Sequence, residues 1–149
     1  MYELNKSKCE YKTIYLNTSD ATVNTDRTEF VFNKLPLIQV RGDRCYLKVV
    51  GVSMNGQGDP TGHSWIVKLR NVKHNGTSYY NSDFDAIPTI AMFNWDSKTS
   101  FQGGAYLKID PQDINEFALE VKSNDNHGLL KSSQPIEMTL TIQIEEYYD

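Results

Sequence analysis

With 149 residues the chain is one domain long, enough to bury about two-thirds of its unfolded surface around a single core, and its nine Tyr, six Phe and two Trp point to a β protein. The formal net charge of −4, with no basic feature beyond the scattered Lys6, Lys8 and Lys12, gives no electrostatic hold on a phosphate backbone and argues against direct nucleic-acid binding. No run of about 18 apolar residues occurs, and Met1-Tyr2-Glu3-Leu4-Asn5-Lys6 has no apolar leader, so we expect a cytosolically made, complete chain without membrane insertion.

In chain order, residues 1–10 are polar and aperiodic and read as an N-terminal arm, leaving 11–149 as a single domain. Tyr11 to Asn17 alternates as a first strand, and Asn17-Thr18-Ser19-Asp20 ends it because these side chains bond the local backbone. Arg27 to Asn33 is a strand with Phe30 and Phe32 on one face. Pro36 interrupts the ladder, since it has no N–H to give. Arg44 to Met54 is the most apolar run: Cys45, Leu47 and Val49 face one way, and Tyr46, Val50 and Val52 need cover on the other. After the turn signal Asn55-Gly56, His63 to Asn71 is a strand with Trp65, Val67 and Leu69 inward and Lys68 and Arg70 outward. Thr77 to Tyr80, Ala86 to Phe93 and Ala105 to Ile109 follow as shorter strands. Asp110-Pro111-Gln112-Asp113 has the make-up of a single helical turn, and Ile114 to Lys122 alternates with Phe117, Leu119 and Val121 on one face.

The clearest pattern closes the chain. Ile136, Met138, Leu140, Ile142 and Ile144 share one face of a period of two, and Glu137, Thr139, Thr141, Gln143 and Glu145 share the other. A strand of this kind needs a neighbour on each edge and a second layer against its apolar side, so the last strand should be central. The expected fold is all-β, an eight-stranded antiparallel single jelly-roll sandwich.

Motifs for chemistry are sparse. Cys9 and Cys45 permit a bridge without demanding one. His63, His74 and His127 are dispersed, with no H-x-H pair, and no nucleophile or phosphate-cradling motif occurs, so neither enzymatic activity nor a cofactor is expected. Asp83 and Asp85 would suit calcium or cap a turn. Arg41-Gly42-Asp43 matches the tripeptide of integrin ligands and is a candidate receptor-attachment site, yet Gly-Asp between strands is also ordinary hairpin chemistry. Aromatic residues at strand ends and in loops, among them Phe93, Trp95, Phe101, Tyr79, Tyr80, Tyr147 and Tyr148, either fold onto the core edge or form a contact patch.

The segments Ile14-Tyr15-Leu16-Asn17-Thr18-Ser19-Asp20 and Asp26-Arg27-Thr28-Glu29-Phe30-Val31-Phe32, then Leu35-Pro36 before an apolar strand and the ending Ile136 to Tyr147, resemble small single jelly-roll capsid proteins of large icosahedral double-stranded DNA viruses. That resemblance implies a structural virion protein: a penton-type vertex subunit forming a homopentamer, or a minor capsid protein. Its partners would be the major capsid protein and other minor capsid proteins. It would be made in the host cytoplasm and end in the virion. The arm and loops would carry the contacts, with Tyr2, Leu4, Trp95, Phe101, Tyr147 and Tyr148 as candidate assembly residues. The alternative is a carbohydrate- or receptor-binding β-sandwich, with Trp65, Trp95 and loop tyrosines stacking on sugar rings beside Asp83 or Asp85.

Overall fold

The structure, a computed structural model, describes residues 8–24, 29–56, 64–74, 78–80, 83–85, 89–94, 100–102, 106–123 and 136–149. Along these residues the chain runs as β1 (Lys8–Asn17), a 3-10 turn (Thr18–Asp20), β2 (Thr22–Val23), β3 (Glu29–Phe32), β4 (Ile38–Val40), β5 (Arg44–Gly56), β6 (Ser64–Arg70) and β7 (Ser78–Tyr80). It continues as β8 (Asp83–Asp85), β9 (Thr89–Asn94), β10 (Ser100–Gln102), β11 (Leu107–Ile109), β12 (Gln112–Ile114), β13 (Phe117–Ser123) and β14 (Ile136–Tyr148). All strand pairings among the described residues are antiparallel. One sheet has the order β1-β14-β5-β11, a second the order β10-β9-β6-β13-β3-β2, and β12-β4 and β7-β8 form two short ladders.

The closing strand is interior, as its alternation predicts: β14 pairs with β1 on one edge and with β5 on the other. Met138, Leu140, Ile142 and Ile144 are wholly buried. They meet one apolar core to which the first sheet also gives Leu16, Leu47 and Val49, and the second gives Phe30, Phe32, Val67, Leu69, Leu119 and Val121. Two antiparallel sheets thus share their inner faces, a sandwich-like arrangement.

Among the described residues fourteen strands stand where eight are expected, because the connections carry short ladders of their own. Residues 112–114 are not part of a helical turn. They pair as β12 with β4, and the Gln112 amide fastens the neighbouring corner by donating to the Lys73 and Asp110 carbonyls at 2.9 Å each and accepting from Lys73 N–H at 3.0 Å. The expected strand Ile114 to Lys122 is accordingly divided, with Ile114 in β12 and β13 starting at Phe117. The first strand begins at Lys8, inside the expected arm, because β14 is long enough to pair with it as far as Tyr148.

The expected facing of β5 holds only as far as Val49. The register with β14 shifts at Thr141/Ile142: Ile142 opposes Val49 while Thr141 opposes Gly51, so Val50 is the extra residue of a bulge. Beyond it the parity reverses, and Val52 turns to the core rather than lying beside Val50. Lys68, expected to point outward, is buried along with Ile66 on that same face of β6. At the end of β6, Asn71 takes a left-handed φ of 63°, and its side chain binds across to the start of β13, donating to the Glu116 carbonyl at 2.7 Å and accepting from Ala118 N–H at 3.0 Å.

Candidate functional site

The end of β14 carries two acids in succession, and in a strand successive side chains go to opposite faces. Glu146 continues the series Met138 to Ile144 on the core side and has no accessible surface. A carboxylate there is tolerable only if its charge and lone pairs are met. Lys12, one strand over on β1, gives the ion pair, and the backbone N–H groups of Arg41 and Gly42 donate to Oε1 at 2.6 and 3.3 Å. Burial pushes the Glu146 carboxyl up, but the Lys12 hydrogen bond and the two amides outweigh it and hold the group below the ordinary carboxylate range. Cys45 opposes Glu146 on β5, donates its thiol to the Gly42 carbonyl at 3.2 Å, and is pushed up first by burial and then by the Glu146 charge.

Glycine at 42 is explained by this close approach. A Cβ there would lie 2.9 Å from the Glu146 Cβ and 3.1 Å from the Tyr147 nitrogen. The tripeptide Arg41-Gly42-Asp43 therefore wraps the end of β14. Arg41 forms an ion pair with Asp113; Asp43 donates its N–H to the Tyr147 carbonyl at 2.8 Å and accepts from Asp149 N–H at 2.8 Å. Arg41 and Asp43 are exposed, but the glycine between them is buried.

Glu145 faces the other way and is also nearly closed off, roofed by tyrosines. The hydroxyls of Tyr106 and Tyr147 donate to its two oxygens at 3.1 Å each. Tyr46 sits edge-on between them, with ring centroids 6.1 Å from Tyr106 and 5.9 Å from Tyr147, and Arg44 stacks 5.0 Å above the Tyr147 ring. The bond to Glu145, seconded by Cys9, pushes the Tyr147 phenol well up. Farther along the same face Tyr11 and Tyr15 stand 58% and 72% exposed.

Tyr15 also marks the outer edge of β1. Beside that edge lies an open groove of about 760 Å³ between Lys12-Thr13-Ile14-Tyr15 and Leu35-Pro36-Leu37-Ile38, closed at one end by Tyr148 and Arg41. A second hollow of about 480 Å³ continues it past Asn17 and Asp20. Leu37 is 54% exposed at its wall.

Of the candidate assembly residues, Tyr147 belongs to the tyrosine roof and Tyr148 to the groove. Phe101 lies in β10, its side chain outside the described residues, and Tyr2, Leu4 and Trp95 lie outside them entirely. The side chains of Trp65, Asp83 and Asp85 are outside them as well, and so are His63 and His127 entirely. The thiols of Cys9 and Cys45 are both free, and they face opposite sides of the sheet. Among the described residues no three His, Cys, Asp or Glu groups lie together as a metal site would need, and no helix is long and apolar enough to cross a membrane. Glu146 and its Lys12 partner escaped the sequence reading. Extending the period of two by one step puts Glu146 on the core face, so that half of the signal was present. No family model matches the chain, and no curated protein matches it.

Proposed function

We propose that this chain is a structural subunit of an icosahedral viral shell, a penton-type vertex or minor capsid protein of a double-stranded DNA virus, folded as an eight-stranded single jelly roll. The strand order carries the reading. Taking β1, β3, β5, β6, β9, β11, β13 and β14 as first to eighth, the sheets run 1-8-3-6 and 5-4-7-2. Each of the pairs first with eighth, second with seventh, third with sixth and fourth with fifth is hydrogen bonded. These pairs support the reading, because one long hairpin rolled up on itself, as in the jelly rolls of many capsid proteins, would have the same wiring. β2, β10 and the two short ladders are additions to it.

A shell subunit works by its surfaces and needs no reacting group. The exposed tyrosines of the β1 face and the groove wall at Leu37 are the surfaces offered to a neighbour. On this reading the partners are further copies of the chain, as a homopentamer, and the major and minor capsid proteins around it. Size-exclusion chromatography with light scattering, followed by negative-stain imaging, tests it. Closed five-membered rings, or incorporation into shells with the major capsid protein, are expected. A chain that stays monomeric at its highest soluble concentration and joins no shell overturns the reading.

The exposed Tyr11, Tyr15 and Tyr106 on one sheet face also favour a second reading, a carbohydrate- or receptor-binding module. A glycan array with and without calcium separates the two: strong glycan binding by a monomer supports the second.

A further inference from the structure

We propose that β1 is a pairing edge through which two copies of this chain join antiparallel, about a twofold axis that passes through Tyr11. β1 is the outermost strand of its sheet, ten residues long, and among the described residues no strand bonds to its other side. An open edge of that length, about 33 Å of alternating donors and acceptors, templates another strand unless something blunts it. Proline, a bulge or an outward lysine are the usual means. β1 has no proline and its register with β14 runs unbroken; of its two lysines, Lys12 is drawn onto Glu146, and the exposed Lys8 stands at the first residue of the strand, where it forms an ion pair with Glu10. The edge is flanked by exposed apolar surface, Tyr11 and Tyr15 on one side and Leu37 across the groove on the other.

The identity of the partner strand follows from charge. A twofold axis perpendicular to the sheet keeps the outer face outer in both copies, so residues of the same parity must oppose one another. Centring the pair on Tyr11 sets Glu10, which pairs with Lys8 in its own chain, against the partner's Lys12, and Lys12, whose side chain stays 36% exposed beside Glu146, against the partner's Glu10, with Cys9 against Thr13. Moving the axis one residue either way sets Glu10 against Glu10 or Lys12 against Lys12, and like charges directly opposite are unfavourable. Moving it to Thr13 leaves Lys12 facing Ile14. Among registers that use most of the strand, only the one centred on Tyr11 is complementary to itself, and self-complementarity is what an isologous contact requires.

This contact is distinct from a ring contact, which is heterologous, so it stands or falls apart from the capsid reading. The test is a Tyr11→Cys substitution in a Cys9→Ser background, oxidised mildly and run on a non-reducing gel. Two cysteines directly opposite have Cα atoms about 4.5–5.5 Å apart, within disulfide reach, so a covalent dimer is expected. Tyr15→Cys in the same background is expected to stay unlinked, because its two copies would lie about 26 Å apart. Sedimentation equilibrium of the otherwise native chain with Glu10→Lys should show dimerisation about tenfold weaker than wild type.

A Tyr11→Cys chain that keeps its β spectrum but forms no covalent dimer overturns the proposal, as does equal linking through Tyr15→Cys. If Tyr11→Cys does not fold, the Glu10→Lys comparison decides: unchanged association overturns the pairing. Rings of five that never link through position 11 would remove the pairing and leave the capsid reading standing. Linked dimers that never form rings would do the reverse.

Discussion

At the scale of single residues, the end of β14 is held by contacts that make specific demands. A methyl at position 42 would have to enter space held by the Glu146 Cβ, at 2.9 Å, and by the backbone beside it. Neither is the far end of a flexible chain, so the loop or the strand must shift, and Gly42→Ala should cost about 1–3 kcal/mol in urea unfolding. An unchanged midpoint would mean that the loop relaxes freely. Glu146 adds a dependence on pH. Its carboxyl sits below the ordinary value of 4.5 in the folded chain, despite burial, because Lys12 and the amides of residues 41 and 42 favour the charged form. In that window the unfolded chain binds more protons than the folded one. Its contribution is therefore full above the ordinary value and is lost as pH falls through the lower, folded one. Wild type should lose stability across that acid range, whereas Glu146→Gln should start lower by about 1–3 kcal/mol at neutral pH and lose less on acidification. Parallel acid titrations of the two melting temperatures check this; equal slopes would count against the assignment.

At the scale of elements, β5 tests how a bulge edits a pattern. Val50 is 40% exposed, whereas Val52 packs on the core, although two residues apart they should share a face. Val50→Thr should therefore change stability by less than about 0.5 kcal/mol, while Val52→Thr, which buries a hydroxyl, should cost about 1–3 kcal/mol. Equal effects in thermal melts would deny the register shift. The same strand explains what the sequence could and could not tell. Phe30 and Phe32, the series Phe117, Leu119 and Val121, and the aliphatic face of β14 were legible because a period of two with one buried face is a local signal. The bulge at Val50 was not, because a register shift belongs to two strands together. β12 was missed because Asp-Pro begins turns and helices alike, and only β4, far back in the chain, makes it a strand. At the site, the facing of Glu146 lay in the alternation, but Lys12 is 134 residues away and no local pattern links them.

At the scale of the whole molecule, the first sheet is closed by its last strand. β1 and β5 do not touch as neighbours; β14 stands between them, so the two ends of the chain meet only when residues 136–149 arrive. Their loss would uncover the places of Met138, Leu140, Ile142 and Ile144, all fully buried. At about 1.5–3 kcal/mol for each such side chain, burial of these four contributes about 6–12 kcal/mol. A domain of this size has a net stability of about 5–15 kcal/mol, so the removal takes most or all of it, before counting two ladders of backbone hydrogen bonds and the partner of Lys12. A chain ending at residue 135 should therefore show no cooperative thermal transition by circular dichroism, and a synthetic peptide of residues 136–149 added in excess should restore one. If the truncated chain melts cooperatively by itself, β14 is an accessory to a sheet that already stands. If the full chain refolds, it should do so on the millisecond-to-second scale typical of β topologies with distant pairings, because β1 must wait for a partner from the far end of the sequence.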